Sequence, residues 1–542
     1  MATNKRHAIN RNKNGASGSA TKKRRHAKSR ASNKNGSQII DYVIVGAGIT
    51  GAYLARRLSL QFPHKKILVL ERDDHIGGRL RSSTSTKLMD QQTKVVPEFG
   101  GMRLFPSIHP RAVRLLKLLK LKTVEVPYVQ SNGFYYGRGH RFNNDALFPE
   151  TELVYNVDND EKGKDVMSLV TDNIEKTLAA HKYPDNFDLS HRRSLYKSDL
   201  STLDFKETVV NGANKISNEN WIRFSEMSGY AGLYDPHISF VSGAGELLSL
   251  HSHDSTQYCV KYGYQQAPQK LLSTFTPTTC DKAAHNNMKS NRNILFNVNL
   301  NKFDANPDKT INLELTDGNN HVCQVVAQNL YICTAANSVS TILGFPSNFI
   351  ENIQNQLVPI PLFKIFFYYD KNWWGDLGGA SGRSTTDLNI NQLWFYNSNI
   401  LMTYAVGGDA TYWANKIPRA QQTEFTVGTP ETAELVAEIV ECYSRMFPEM
   451  GNIPMPTKIA WAYWNNGCSL WSAFDVNNFD RKPKTDIQRE LLYPLPQNEN
   501  VCYLNNDISL NQGWIEGSIE LVDDFLSEKF NMPNILSSNS LQ

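Results

Sequence analysis

Several features that would class this chain are missing from it. No run of about 18 consecutive apolar residues occurs, so a membrane-spanning helix and a membrane partner are not expected. No apolar stretch follows the first residues, so secretion by a standard signal is not expected either. Cysteine is scarce. Cys259, Cys280, Cys323, Cys333, Cys442, Cys468 and Cys502 make an odd number, and none forms a Cys-x-x-Cys pair. That argues against a disulfide framework and against a zinc site, so no metal is expected. It favours a reducing, intracellular setting. Residues 1–38 contain no Asp, no Glu and no aromatic residue, and the chain shows no internal repeat.

The charge that is present is unevenly spread. Residues 1–38 hold eleven Lys or Arg; set against a total of +4, they leave −7 for the remainder. With almost nothing to bury, these residues cannot offset chain entropy and are expected as a disordered basic tail. Within it, Lys22-Lys23-Arg24-Arg25 with Lys28 and Arg30 resembles a nuclear-localisation run or a nucleic-acid-contacting arm. An import receptor and a nucleic acid are thus open as partners of the tail. A solvated arm is the simpler reading, because the body offers no nucleic-acid fold. Asparagine runs such as Asn143-Asn144 and Asn465-Asn466 suit an AT-rich genome, as in a parasite or a large DNA virus, which leaves a virion open as a setting.

The body is a different kind of sequence. At 542 residues, 40% hydrophobic and 20% charged overall, the chain fits a soluble protein of two or three domains. Residues 39–45 read as a buried strand, 49–60 as a helix and 66–70 as a second strand, the parallel β-α-β unit of a doubly wound fold. A helix is expected from His109-Pro110. Helical patterns follow between about 150 and 250. Strands are expected at 293–299, 310–315, 329–333, 362–369, 401–406 and 501–504. A helix over 430–446 has Thr429 placed to cap it. Another begins near Trp514.

Gly46-Ala47-Gly48-Ile49-Thr50-Gly51 is G-x-G-x-x-G, set between the first strand and the first helix. Gly46 makes the tight turn, Gly48 lets backbone approach a pyrophosphate, and Gly51 lets helix pack on strand. The helix N-terminus offers free N–H groups to the phosphates. Glu71, twenty residues on, can accept both hydroxyls of an adenosine ribose. Ile76-Gly77-Gly78-Arg79 then favours FAD over a nicotinamide. Gly78 permits a close turn, and Arg79 can reach phosphate or flavin.

Glu71 through Arg79 resembles the E-x(5)-G-G-R continuation of flavin-dependent amine oxidases, and further segments extend the likeness. Phe99-Gly100-Gly101-Met102-Arg103-Leu104-Phe105-Pro106 is similar to the G-x-M-R-[LF]-P stretch of amino-acid oxidases, with one extra residue before the proline. The segment from Lys364 through Trp374 to Ser381–Leu388, and Met402–Ala410 after it, resemble two further blocks. Asn511–Ile519 resembles the closing G-W-[IV]-[ED]-[GS] flavin motif. In order and spacing these segments cover most of residues 39–525, and the chain resembles the flavin monoamine oxidase superfamily, closest to its L-amino-acid oxidases.

The resemblance implies a set of roles. Arg103 would clamp a substrate carboxylate, for which a guanidinium is the planar, bidentate partner. Tyr404 and Trp514 would flank the substrate beside the flavin, the Gly513 carbonyl would accept from its amine, and Lys364 would hold a water near flavin N5. Val298 would meet the adenine through its backbone. Gly100, Gly101, Met102 and Ile515 would also border the cofactor. Asp507 stands where the family has Glu and would meet the ribityl chain or the pyrophosphate. Cys468 falls where monoamine oxidases bond the flavin. Because only half of the preceding glycine pair is kept, noncovalent FAD is favoured over a tether. Residue by residue, other readings stay open: a structural ion pair for Arg103, core packing for Tyr404 and Trp514, a sheet edge for Lys364, and a surface turn for Asp507.

The expected fold is α/β: a doubly wound, Rossmann-like FAD-binding domain with a mixed-sheet substrate domain and a helical insertion. The FAD-binding domain would comprise 39–110, 252–345 and 455–530; the insertion 111–251; the substrate domain 346–454; and a C-terminal tail 531–542. The expected reaction converts an L-amino acid, O2 and water to a 2-oxo acid, ammonia and hydrogen peroxide, by hydride transfer to flavin N5. An amino-acid 2-monooxygenase, an amine or polyamine oxidase, and a flavoprotein fold kept for binding are the alternatives. A homodimer is open.

Overall fold

Strand β1 (Ile40–Val45) buries five of its six residues, as a strand covered on both faces must. The computed structural model that shows this describes residues 39–536, apart from 86–88, 91–92, 127–132, 144–150, 184–188, 235, 252–255, 286, 377–381, 398, 419–429 and 476–480. The expected basic tail, Ser381, the capping Thr429 and the last six residues of the expected C-terminal tail lie outside the described residues.

The remaining strands, in chain order, are β2 (Ile67–Leu70), β3 (Thr123–Glu125), β4 (Phe134–Gly137), β5 (His140–Asn143), β6 (Tyr258–Val260), β7 (Thr276–Pro277), β8 (Arg292–Leu295), β9 (Val298–Ala305), β10 (Ile311–Asp317), β11 (Val322–Ile332), β12 (Leu357–Tyr368), β13 (Gly382–Thr386), β14 (Gln392–Asn397), β15 (Ile400–Val406), β16 (Lys458–Trp471) and β17 (Val501–Tyr503). The first sheet runs β7-β8-β2-β1-β11-β10-β9, with β17 also on β11. Its β7, β8, β2, β1, β11 and β17 pair in parallel, while β9, β10 and the start of β11 form an antiparallel meander. Helices Ile49–Gln61 and Ile515–Phe530 pack against one another. They are joined by buried Arg57, which bonds Asp523, while Tyr53 donates to the same carboxylate at 2.9 Å. This is the doubly wound unit expected from the glycine pattern.

The second sheet runs β16-β12-β15-β14-β13-β4-β5. It takes β16 from beyond the expected boundary at 455, and the β4–β5 hairpin from the segment expected to be helical. Apart from β3, the rest of that insertion's described residues are mainly helical, with Asp165, Asp204 and Ser217 each capping a helix through a side-chain oxygen.

Two further expectations are corrected. Residues 293–299 are not one strand. The chain turns at Asn297, which takes φ +55°, and splits into β8 and β9. That turn delivers the Val298 N–H to the Glu71 carbonyl at 2.9 Å. Cys280 and Cys323 form a disulfide between helix Cys280–Ala284 and β11, with Cα atoms 6.1 Å apart. Linear spacing does not reveal that these two elements lie side by side, so one disulfide is present where the cysteine pattern argued against a disulfide framework.

A Cβ on Gly51 would sit 2.0 Å from the Gly46 carbonyl oxygen, a backbone atom that cannot step aside. Gly51→Ala is therefore expected to destabilise the fold by about 2 kcal/mol or more. Chemical denaturation checks this, and a wild-type midpoint would contradict the packing account.

Candidate active site

A cavity of about 1070 Å3 opens where β1 and β2 end, and its walls come from both sheets and from the helical insertion. At its first end, Gly48 caps helix Ile49–Gln61 without a side-chain bond, and no acid stands in the first turn. The leading N–H groups are left for an anion, which the helix terminus favours electrostatically. A Cβ on Gly78 would lie 3.2 Å from Gly48 Cα, so bare backbone meets bare backbone here. Glu71 follows β2 and accepts the N–H of Ala47 at 2.7 Å and of Asp73 at 2.9 Å. Burial raises its pKa, and these two bonds pull it back. An ionised carboxylate has acceptor capacity beyond two bonds, so ribose hydroxyls fit beside it. Gly46, Arg79 and Val298 complete this end. The cradle suits an extended dinucleotide.

Gly100, Gly101, Met102 and Arg103 carry the wall onward. Their loop is held by Lys364, whose ammonium donates to the Glu98 carbonyl at 3.2 Å and to that of Gly100. The register explains the reach: Lys364 lies on β12, between β16 and β15, opposite Tyr404. The sheet-edge reading of this lysine is therefore overturned, because β12 is an interior strand. Lys364 Nζ stands 5.0 Å from the centre of the Tyr404 ring. Burial lowers the lysine to about 7, against the pull of Glu98 and with the help of Arg103. Burial also raises the Glu98 carboxyl to about 8, although Ser82 Oγ donates to it at 2.6 Å and the Tyr264 N–H at 2.8 Å.

Arg103 donates to Gln257 at 3.1 Å and to the Tyr230 hydroxyl at 2.9 Å, with its guanidinium 5.2 Å from the Trp394 ring. Among the described residues these partners are neutral and no carboxylate pairs with it, so the structural ion pair does not hold there. Trp514 precedes the closing helix. Its indole lies 4.5 Å from the His109 ring and 5.5 Å from Phe105, and Nε1 donates to Glu246 at 2.9 Å. Tyr404, Gly513, Ile515 and Cys468 border the same chamber. Burial pushes the Cys468 thiol up to about 12, so it stands protonated.

Two expected cofactor residues do not reach the wall. Gly51 is packed under the turn. Asp507 is fully buried and is no surface turn. It accepts from Arg79 at 2.8 Å, from the Ala336 N–H at 2.8 Å and from Asn466 at 3.3 Å. The aspartate thus supports the wall from behind and fixes Arg79, which also donates to Asn505 at 3.1 Å and to the Gly467 carbonyl at 3.3 Å. Sequence reasoning missed Glu98, Tyr230 and Glu246. Glu246 did leave a signal: apart from the final His251, it is the one ionisable residue in the otherwise uncharged helix Phe240–His251.

A glycine-lined dinucleotide cradle opening into a chamber walled by a second sheet defines a two-part, dinucleotide-dependent oxidoreductase. The profile of the flavin containing amine oxidoreductase family matches residues 49–520, and the chain belongs to that family. An uncharacterised protein of Acanthamoeba polyphaga mimivirus is 25% identical over 93% of this chain and 96% of its own length. The L-amino-acid oxidase of Crotalus adamanteus is 22% identical over 68% of this chain and 67% of its own length. Among solved structures, cyclohexylamine oxidase from Brevibacterium oxydans superposes with a TM-score of 0.60 at 15% identity, covering 91% of this chain and 100% of that one. A putrescine oxidase triple mutant gives 0.59 at 18%, covering 90% and 98%. The cofactor of the family is a flavin, and the cradle fits one. No described helix is long and apolar enough to cross a membrane.

Removing the Asp507 carboxylate leaves Arg79 half-enclosed without its counter-charge. Asp507→Ala is expected to cost about 3 kcal/mol and to lower the flavin retained through gel filtration. Unchanged stability with full flavin content would contradict the bracing role.

Proposed function

We propose that this chain is an FAD-dependent oxidase of L-amino acids, yielding a 2-oxo acid, ammonia and hydrogen peroxide. The observation that carries the reading is Arg103. It is a guanidinium on the chamber wall whose described partners are neutral, so a substrate carboxylate can meet it. A simple amine has no group for it. When bound, FAD supplies the two-electron acceptor and, on reoxidation, passes the electrons to O2.

The chain's own residues supply position and charge. Tyr404 and Trp514 stand on the chamber wall and would fix the approach of the Cα–N bond between their rings. Trp514 is pinned on several sides, by Glu246, His109 and Phe105, so its ring plane is set before substrate arrives. The Gly513 carbonyl would accept from the amine. Lys364 uses two of its three protons on the Arg103 loop, which leaves one for the chamber. It thereby couples the carboxylate clamp to the reacting end.

Arg103→Ala is expected to lower kcat/KM for L-amino acids by about a hundredfold or more, mainly through KM. Unaltered amino-acid turnover would overturn the clamp. Release of 2-oxo acid rather than an amide with CO2 separates the oxidase from an amino-acid 2-monooxygenase.

Lys364 and Glu98 titrate as a pair, losing their protons at about 7 and about 8. Glu98 keeps its proton up to about 8, so it is neutral where the lysine titrates, and Glu98→Gln leaves the lysine's transition largely in place. The absorption spectrum of the bound flavin is expected to titrate near neutrality, to keep this transition in Glu98→Gln, and to lose it in Lys364→Met. A titration that survives Lys364→Met unchanged would remove Lys364 from the flavin's surroundings.

A further inference from the structure

The substrate half of the cavity carries a guanidinium and a carboxyl group that do not bond each other. Arg103 and Glu246 both stand on its wall, and among the described residues no ion pair joins them. Glu246 is the one acid on helix Phe240–His251, whose sequence is FVSGAGELLSLH. One oxygen accepts from the Trp514 indole at 2.9 Å, and a carboxylate accepts several bonds. Burying it without a cation is costly. Burial does push its pKa up, against the pull of Arg192 and Arg103. Arg192 is buried and lies off the cavity wall, and its charge acts on Glu520 and Glu516 as well as on Glu246. Arg103 is the cation to which a substrate carboxylate would go. The Glu246 carboxyl on the same cavity wall keeps acceptor capacity beyond its one bond to Trp514.

We infer that Glu246 selects α-amino acids whose side chain ends in a second cation, an ammonium or a guanidinium. This inference rests on the amino-acid reading above and deepens it. The α-carboxylate meets Arg103, the α-amine lies between Tyr404 and Trp514, and the side-chain cation reaches Glu246. The reacting α-amine must be neutral to donate its electron pair, so it does not compete for the carboxylate. Fixing the Glu246 carboxylate to Trp514 also links side-chain recognition to the ring that positions the reacting centre.

The test uses the purified holoenzyme with L-lysine, L-ornithine, L-arginine and uncharged L-norleucine. The expected kcat/KM is about tenfold or more higher for the basic substrates. Glu246→Gln keeps an acceptor for the indole and nearly the same shape. It is expected to raise KM for L-lysine by about tenfold or more, leaving kcat within about threefold and erasing the preference over L-norleucine. Preference of the wild type for L-norleucine overturns the inference. So does an equal fall in kcat for all four substrates, which would make Glu246 a base for the α-amine or a prop for Trp514. If no amino acid reacts while putrescine or cyclohexylamine does, the amino-acid reading itself fails and takes this inference with it.

A second readout needs no turnover. The wild-type flavin spectrum is titrated with 6-aminohexanoate, which carries both end charges but no α-amine, and with hexanoate. Binding of 6-aminohexanoate about tenfold tighter supports the assignment, and equal affinities overturn it.

Discussion

Asp507 is the point at which the distant parts of the cavity meet. One buried carboxylate holds Arg79 from the end of the first β-α-β unit, the Ala336 N–H beyond β11, and Asn466 from β16 in the second sheet. These segments are far apart in the chain, and each arrives by a separate route through the fold. A buried charge of this kind costs several kcal/mol unless its bonds are complete, so the three segments are constrained to arrive together. The residues after it continue the same work. Asn506 accepts the Gly513 N–H at 2.7 Å and donates to the Trp514 carbonyl at 2.7 Å, which sets the start of the closing helix against the chamber.

The chamber's electrostatics follow from that geometry. An interior strand, β12, places Lys364 opposite Tyr404 on β15, and the sheet closes over it. Once buried, the ammonium must be met, and it is met by loop carbonyls rather than directly by a carboxylate. Glu98 then acts at a distance, and burial drives both groups towards their neutral forms. The loop that Lys364 holds is the one that carries Arg103. Position of Arg103 and protonation of the lysine are therefore linked through a single set of bonds.

Much of this was legible in the sequence. The first β-α-β unit, the glycine turn, Glu71 and the closing helix were readable because each rests on local pattern: apolar runs, glycine spacing, a proline or tryptophan at a terminus. Val298 lies on the cavity wall, but the left-handed turn at Asn297 that places it there and breaks the expected strand in two was not readable. Asp507 was found and its place misjudged, because a sequence does not show whether a carboxylate faces a cavity or a guanidinium. The assignment of β16 and of the β4–β5 hairpin to the second sheet was invisible, since strand partners are set by long-range pairing. The disulfide was invisible for the same reason. Glu246 lay in plain view as a lone acid in an apolar helix, but only the fold shows that this helix face lines the chamber.

A flavin seated in this cradle is expected to take electrons from a substrate held by its carboxylate. The most direct measurement is anaerobic addition of single compounds to the purified yellow protein, followed by its visible spectrum. Bleaching by L-amino acids, with none by the matching amines that lack the carboxylate, is the expected result. A flavin bleached by amines alone, or by neither, would contradict it.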